Sequence, residues 1–237
     1  MPTQNLLYKK SFPINQYIQI SIPSVGEILD DEDNYYNMIS MLTAMPIDMM
    51  VELDEIGIDF TEIGEWELFL LVFESLKNND TSLIFGDLDL SKFQTMINDQ
   101  NGEIILQNHD KVRIDREIAR KITNGLREIH GLKKNNKKPG NEEAKKYLLE
   151  RAKIKKRRAK NRTSYSHLEE LIVAMVNTEQ FHYGFEGTRE LSIYQFNKSV
   201  RQVIQKVDYE HRMHGVYAGT ISAKDLSQKD FNWLTQQ

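Results

Sequence analysis

Two histidines and one acidic stretch are the residues whose types and spacing could bind a metal ion. His211 and His214 stand three residues apart in a predicted helix, so one face presents both rings. No HExxH pattern surrounds them and no third ligand is near in the sequence, which favours exposed polar side chains over a zinc site. The stretch at residues 87–91 begins like a calcium loop, but Lys92 and Asn98 replace the glycine and the glutamate that such a loop needs.

Catalytic motifs are missing from the chain. It contains no GxxxxGK[ST] or GxGxxG phosphate-binding loop and no GxSxG nucleophile elbow. It also contains no cysteine, which excludes thiolate catalysis and disulfide bonds and is typical of proteins of a reducing cytosol. We therefore expect a protein that is not an enzyme, with no cofactor and no bound metal.

Charge is distributed very unevenly along the sequence. Residues 1–110 carry 4 Lys or Arg and 20 Asp or Glu (4 − 20 = −16), whereas residues 111–237 carry 27 and 15 (27 − 15 = +12). The excess is greatest at residues 133–162, which hold 14 basic and 3 acidic residues (14 − 3 = +11). Such a chain can fold its halves against each other, pair with a second copy, or bind a charged partner.

The basic arm at residues 133–162 has three interpretations: a solvated helix end, a nucleic-acid contact, and a contact with an acidic protein surface. Tyr147 is its only aromatic residue, and its spacing from Ala144 and Leu148 indicates that it faces a core. Few stacking platforms for bases then remain, so we favour an acidic protein, such as the acidic run of a neighbouring copy, over nucleic acid. The predicted contact residues are Lys155, Lys156, Arg157, Arg158, Lys160 and Arg162 on the arm, and Asp30, Asp31, Glu32 and Asp33 on the acidic run.

A series of methionines is the second candidate site. Met38, Met41, Met45 and Met49 recur at intervals of three and four, although Pro46 interrupts the helix between them. Methionine is flexible and polarisable, and it suits surfaces that accept varied apolar helices. The competing interpretation is that these side chains fill gaps in a core.

The hydrophobic pattern predicts a mainly helical α+β protein. Capping residues predict helices that begin after Ser24, Asp115, Ser166 and Ser192, and a strongly apolar helix at residues 65–76. Short strands are expected at residues 14–23, 83–90, 93–97 and 103–108, and the acidic run is expected to be a loop. We place an acidic mixed domain with a small antiparallel sheet at residues 1–132, a basic linker at 133–140 and a basic helical domain at 141–237.

Several stretches together resemble a known group of proteins. LIFGDLDLSKF, NGEIIL, IDREI, LREIHGLKKNNKKPGN, EAKKYLLERA and LSIYQFNKSVRQVIQK occur in an order similar to uncharacterised phage and prophage tail-region proteins of Gram-positive bacteria. Some of those proteins are labelled tail assembly chaperones. The resemblance implies a non-enzymatic protein that binds the tape measure and tail tube proteins and guides tube polymerisation. It implies no role for any individual residue.

The expected function is thus phage tail assembly by protein binding, with self-association possible. The alternatives are a nucleic-acid-binding phage protein that uses the basic arm, and a structural component of the virion. The longest apolar run, residues 68–73, is far shorter than the roughly 20 residues that span a bilayer, so no membrane partner is expected. Without a predicted signal peptide, we expect the protein in the cytoplasm of the bacterial host or in the virion.

Overall fold

The fold is α+β and mainly helical, as predicted. A computed structural model describes residues 5–98, 102–160 and 166–234, apart from the side chain of Lys160. Two small antiparallel sheets lie in the N-terminal half, and the C-terminal part is helical. Within the described residues every helix is too short or too polar to cross a lipid bilayer.

The two sheets are short and separate. Strands β1 (Ser11–Pro13) and β2 (Gln19–Ser21) form an antiparallel hairpin, with Phe12 opposite Ile20. Strands β3 (Gln94–Ile97), β4 (Ile104–Gln107) and β5 (Arg113–Ile114) form an antiparallel sheet in that order. The strand predicted at residues 83–90 is wrong: residues 83–85 belong to a helical turn, residues 86–89 to no helix or strand, and Leu90 begins a 3-10 turn. A short apolar run fits a buried helix as well as a strand.

Ten α-helices make up most of the described chain. The first six are α1 (Val25–Leu29), α2 (Glu32–Thr43), α3 (Met50–Glu55), α4 (Glu65–Leu76), α5 (Ser82–Phe85) and α6 (Arg116–His130). The last four are α7 (Glu142–Lys160), α8 (His167–Val176), α9 (Phe185–Glu190) and α10 (Ile193–Tyr217). A 3-10 helix, Pro46–Met49, joins α2 to α3, where Pro46 breaks the regular helix.

The predicted helix boundaries follow from local capping chemistry. Ser24 and Glu27 form a reciprocal capping box at α1, and Ser192 with Gln195 does the same at α10. The Asp115 carboxylate accepts a hydrogen bond from the Ile118 N–H group at 2.9 Å and opens α6. Gly131 closes α6 in the left-handed conformation with φ 64°, which a side chain would strain.

The acidic run at residues 30–33 is not the loop that we predicted. Only Asp30 and Asp31 lie between helices, whereas Glu32 and Asp33 form the first turn of α2. Carboxylates are favoured there because the N-terminal end of a helix carries partial positive charge. A run of four acids therefore marks a helix start here.

One continuous core joins the N-terminal and C-terminal parts. Buried residues of α2 and α4, such as Leu42 and Phe73, belong to the same cluster as Leu168 of α8 and Phe196 of α10. Two backbone hydrogen bonds of 2.8 Å also link the segment before α1 with the start of α10. The predicted linker at residues 133–140 is free of helix, but it does not separate two cores.

The second half of α10 leaves the core. On the apolar face of this helix, Ile193 and Phe196 are fully buried, whereas Ile204 is 59% exposed. The C-terminal segment folds back on this half through an ion pair of 2.6 Å between Arg212 and Asp230. The apolar pattern thus continues beyond the part of the helix that the core covers.

Candidate protein-binding clefts and the basic helix

Helix α7, which carries most of the basic arm, packs against the acidic helix α3 of the same chain. From Lys145 to Lys156 along α7, the acidic partners run from Asp59, just after α3, back to residues 52–55 within it, so the two segments run roughly antiparallel. The ion pairs are Lys145 with Asp59, Lys153 with Asp54 at 2.5 Å, and Lys156 with Glu52 and Glu55 at 3.0 Å each. The acidic protein surface that we predicted for the arm is therefore supplied, at least in part, by its own N-terminal half.

These contacts stabilise the charged forms of their partners. Hydrogen bonds from Lys145 and from the Thr61 amide and hydroxyl lower the pKa of Asp59 to about 2. Asp59 in turn raises the pKa of Lys145, and Glu52 with Glu55 raises that of Lys156. Both sides of the α3–α7 contact consequently stay ionised at neutral pH.

The predicted contact residues of the arm divide into two groups. Lys156 points towards α3 and is occupied by its own chain. Lys155, Arg157 and Arg158 are exposed and form no ion pair within the described part of the chain. Arg162 and the side chain of Lys160 lie outside the described residues. Contact of this group with another molecule stays a prediction.

The acidic run also has contacts within the chain. The Glu32 carboxylate accepts hydrogen bonds from the Ser166 hydroxyl and, at 2.9 Å, from the Leu168 N–H group at the start of α8. Glu32 therefore links α2 to α8, a role that the sequence did not reveal. The other three are exposed: Asp30 lies 3.8 Å from Arg189, Asp31 accepts a hydrogen bond from Asn34 at 2.9 Å, and Asp33 stands in the first turn of α2. Their contact with a neighbouring copy stays a prediction.

The four methionines do not share one environment. Met38 is 1% exposed and belongs to the core, so its side chain cannot line a surface groove. Met41 and Met49 are partly buried and pack at the edge of that core. Met45 is also partly buried, beside the 3-10 helix that Pro46 begins. Three of the four are thus placed where a partner could reach them.

Met41 lines a cleft of about 290 Å³ between α2, α4 and α6. Its apolar lining includes Trp66, whose ring stacks on Phe69 with centroids 5.8 Å apart. The exposed side chains of Arg116 and Arg120 stand on the α6 side of the cleft. The cleft therefore combines an apolar lining with a basic edge.

Met45 lines a second cleft, of about 360 Å³, between the 3-10 helix and the basic linker. The two clefts adjoin, because Gly64 and Glu65 line both. The apolar residues of the second cleft are Met45, Pro46, Ile47, Phe60, Ile63 and Pro139, and its basic residues are Lys137 and Lys138. The twin clefts, as we call them below, are thus two adjoining clefts, each with apolar lining residues and a basic edge.

Arg127 holds the two clefts in place. It is 6% exposed, and its guanidinium donates hydrogen bonds of 2.7 and 3.2 Å to the Thr43 carbonyl at the end of α2. A third bond of 3.1 Å reaches Asn124, and one nitrogen lies 3.6 Å from the Met45 sulfur. Burial lowers the pKa of Arg127, while Glu65 and Asp48 oppose that shift. The sequence analysis missed this residue, although an arginine directly after buried Leu126 in α6 was a signal.

The residues that suggested metal binding lie apart. His211 and His214 are both exposed on α10, and Asp89 accepts a hydrogen bond of 3.0 Å from the Ser91 N–H group in a 3-10 turn. Among the residues that the structure describes, no group of three or more His, Asp or Glu side chains is placed to hold a metal ion. The described residues thus provide apolar and charged contact surfaces rather than a set of metal ligands.

Comparison with known proteins finds one similarity. Residues 156–236, less than half of the chain, match a model of the YomV second domain, a phage- or prophage-type protein family. No curated protein and no solved structure matches the chain. The matched segment runs from the end of α7 through α10 to the last 3-10 turn, so the twin clefts lie outside it. The phage or prophage character that we predicted is supported over this segment.

Proposed function

We propose that the chain is a phage or prophage assembly protein that binds another phage protein through the twin clefts, as a tail assembly chaperone does. The observation that carries the proposal is the joined apolar lining of the clefts, with Met41 in one and Met45 in the other. Methionine adapts to partners of different shape, which a chaperone of several clients needs. The similarity to a phage-type family supports a role in a phage or prophage. The resemblance of nearly the whole chain to tail-region proteins suggests that the tape measure and tail tube proteins are its clients.

The edge of the clefts defines the chemistry of the partner. Glu65 and Glu67 are each paired within the chain, with Lys134 and Arg116 respectively. Arg120, Lys137 and Lys138 are exposed and carry positive charge that no described ion pair neutralises. The partner is therefore a segment with apolar anchors and flanking carboxylates. Amphipathic helices of a tape measure protein, or an exposed segment of a tail tube subunit, offer this chemistry before assembly.

Capture of those clients from co-expression tests the proposal. The protein is produced with the tape measure and tail tube proteins of its own phage, and the amount retained on a tagged copy is measured. The combined change Met41→Ser and Arg120→Glu should reduce capture at least tenfold, because it removes an apolar contact and reverses a charge at one cleft. The control Lys224→Glu changes an equally exposed lysine in the C-terminal 3-10 turn and should leave capture unchanged. Equal capture by both variants would reject the twin clefts as the binding site.

Mass spectrometry separates a chaperone from a structural component. Virions and infected lysate are compared for the abundance of this protein relative to the tail tube subunit. A chaperone is abundant in the lysate and absent from purified particles. A stoichiometric amount in particles would contradict the chaperone proposal and identify a virion component instead.

A further inference from the structure

The outward face of α7 has a composition different from the face that packs on α3. Tyr147, Arg151, Ile154 and Arg158 follow each other at spacings of four, three and four, so they form one stripe along the helix. Lys156 stands nine residues after Tyr147, about two and a half turns, and so points to the opposite side of the helix. Because the inward lysines bind α3, the stripe is left without a described protein partner.

The stripe is exposed, and its C-terminal half is basic, whereas exposed Glu143 and Glu150 lie one turn before and one turn after Tyr147. Tyr147 is 59% and Ile154 41% exposed, which contradicts our prediction that Tyr147 faces a core. Its neighbours Ala144 and Leu148 are partly buried, so the partly buried apolar side chains of α7 lie next to Tyr147 but do not include it. Residues 151–160 include seven Lys or Arg and no carboxylate. Only part of that charge is neutralised by α3, and the side chains of Arg151, Lys155 and Arg158 are exposed.

The aromatic ring is positioned beside a cation. The Arg151 guanidinium lies over the Tyr147 ring, 5.7 Å from its centroid, and a nitrogen of Arg151 donates a hydrogen bond of 3.4 Å to the Tyr147 hydroxyl. A planar ring beside a guanidinium is the arrangement on which an unpaired base stacks while its phosphate meets a positive charge. A base inside a duplex has both faces covered by its neighbours, so only an unpaired base can stack on the ring.

We infer that the outward face of α7 binds single-stranded nucleic acid, with Tyr147 as the stacking platform and Arg151, Lys155 and Arg158 as phosphate contacts. The rise of about 1.5 Å per residue places Arg151, Lys155 and Arg158 about 6 and 4.5 Å apart along the axis, so a strand lying along the helix can meet each in turn. This surface is separate from the twin clefts, and the inference holds whichever protein those clefts bind. It gives the exposed basic residues of the arm a partner that α3 does not already provide.

Fluorescence anisotropy with a labelled short oligothymidylate tests the inference on the full chain. The wild-type protein should bind it, and binding should weaken as salt rises, because released counterions drive phosphate binding. The double change Lys155→Ala and Arg158→Ala should reduce the slope of log K against log salt by about 1.4, since each lost contact to a single strand removes about 0.7. The matched control Lys224→Ala and Lys229→Ala, two exposed lysines near the C-terminus, should leave the slope unchanged.

Two further variants separate stacking from charge. Tyr147→Ala should weaken binding about tenfold, in the range that loss of a base–aromatic stack produces. Tyr147→Phe keeps the ring and should bind like the wild type, and an unchanged circular dichroism spectrum of Tyr147→Ala excludes a folding defect as the cause. Each of three results overturns the inference: no binding at low salt, equal binding by Tyr147→Ala, or polyglutamate that competes as well as unlabelled oligothymidylate. The last result would identify an acidic protein as the ligand, because polyglutamate carries charge without bases.

Discussion

At the scale of single residues, His130 and Tyr35 form the most perturbed titratable pair in the core. The phenolic oxygen lies 3.0 Å from Nε2 of His130, and the rings of Tyr35 and Tyr36 pack edge to face. Burial lowers the pKa of His130 to about 4 and raises that of Tyr36 to about 12, and it also raises that of Tyr35. All three side chains are therefore neutral at physiological pH.

The depressed pKa of His130 predicts an acid-sensitive fold. In the unfolded chain a histidine has a pKa of about 6.5. Between that pH and about 4, the unfolded state therefore binds a proton that the folded state does not. The free energy of unfolding should thus fall by up to about 3 kcal/mol as pH drops through this window. Urea denaturation of wild type and His130→Gln at pH 7 and pH 4.5 measures it, and the variant should lose most of the pH dependence.

The control for His130 is His211→Gln, because His211 is exposed on α10. This variant should keep the full pH dependence of the wild type. An unchanged dependence in His130→Gln would contradict the prediction, because the lowered pKa of Asp59 affects stability only at pH values below this window.

Met38 and Met41 form a matched pair that separates a core role from a surface role. They stand one turn apart on α2 but differ in burial, since Met38 is 1% exposed and Met41 borders the first cleft. Met38→Ala should lower the free energy of unfolding by about 2–5 kcal/mol, the cost of a large-to-small change in a core. Met41→Ala should cost clearly less and should act on client capture. An equal loss of unfolding free energy for the two variants in chemical denaturation would show that Met41 is a core residue.

At the scale of elements, the packing of α7 on α3 converts the charge asymmetry of the sequence into a contact within the chain. Surface ion pairs are individually weak, so this contact depends on several pairs acting together with the partly buried Ala144, Leu148 and Ala152. Because exposed charges are screened over about 8–10 Å near physiological ionic strength, salt should loosen it. We therefore expect α7 to detach from α3 reversibly when the salt concentration rises.

Reversing the inward charges should detach α7 without unfolding the core. In the double variant Lys153→Glu and Lys156→Glu, negative charges on α7 then face the carboxylates of α3. The amides of α7 should therefore exchange hydrogen faster. Exchange in α6 should not change, since that helix is held by buried residues such as Ile122 and Leu126. Adding Asp54→Lys and Glu55→Lys should restore protection. Reversal of the outward Lys155 and Arg158 is the control, and faster α7 exchange in that control would contradict the two-faced helix.

At the scale of the whole molecule, the continuous core predicts a single cooperative unit. Residues of α8 and α10 belong to the same buried cluster as residues of α1 and α2, and Glu32 joins α2 to the start of α8. The twin clefts and the outward face of α7 are thus carried on one body, so binding at either surface acts on the same folded unit. The division at residues 133–140 is a feature of the surface and not of the core.

Truncation tests this unity directly. A fragment of residues 1–140 should fail to show a cooperative thermal transition, because it loses the part of the core that Leu168, Ile172 and Phe196 supply. The full chain should unfold in one transition seen alike by circular dichroism and tryptophan fluorescence. Adding residues 141–237 as a separate chain is the complementary measurement. A fragment that unfolds cooperatively on its own would support the two-domain division predicted from the sequence.

The sequence by itself determined the mainly helical class, the helix starts at Ser24, Asp115, Ser166 and Ser192, and the α4 boundaries, because capping and periodicity act within a few residues. Only the tertiary structure decided which residues share an environment. It placed Met38 in the core and Met41 in a cleft, directed Lys156 to α3 and Tyr147 to solvent, and made Glu32 a cap for α8. These outcomes depend on contacts between residues far apart in the chain. A local sequence pattern does not indicate which distant surface packs on a given face of a helix.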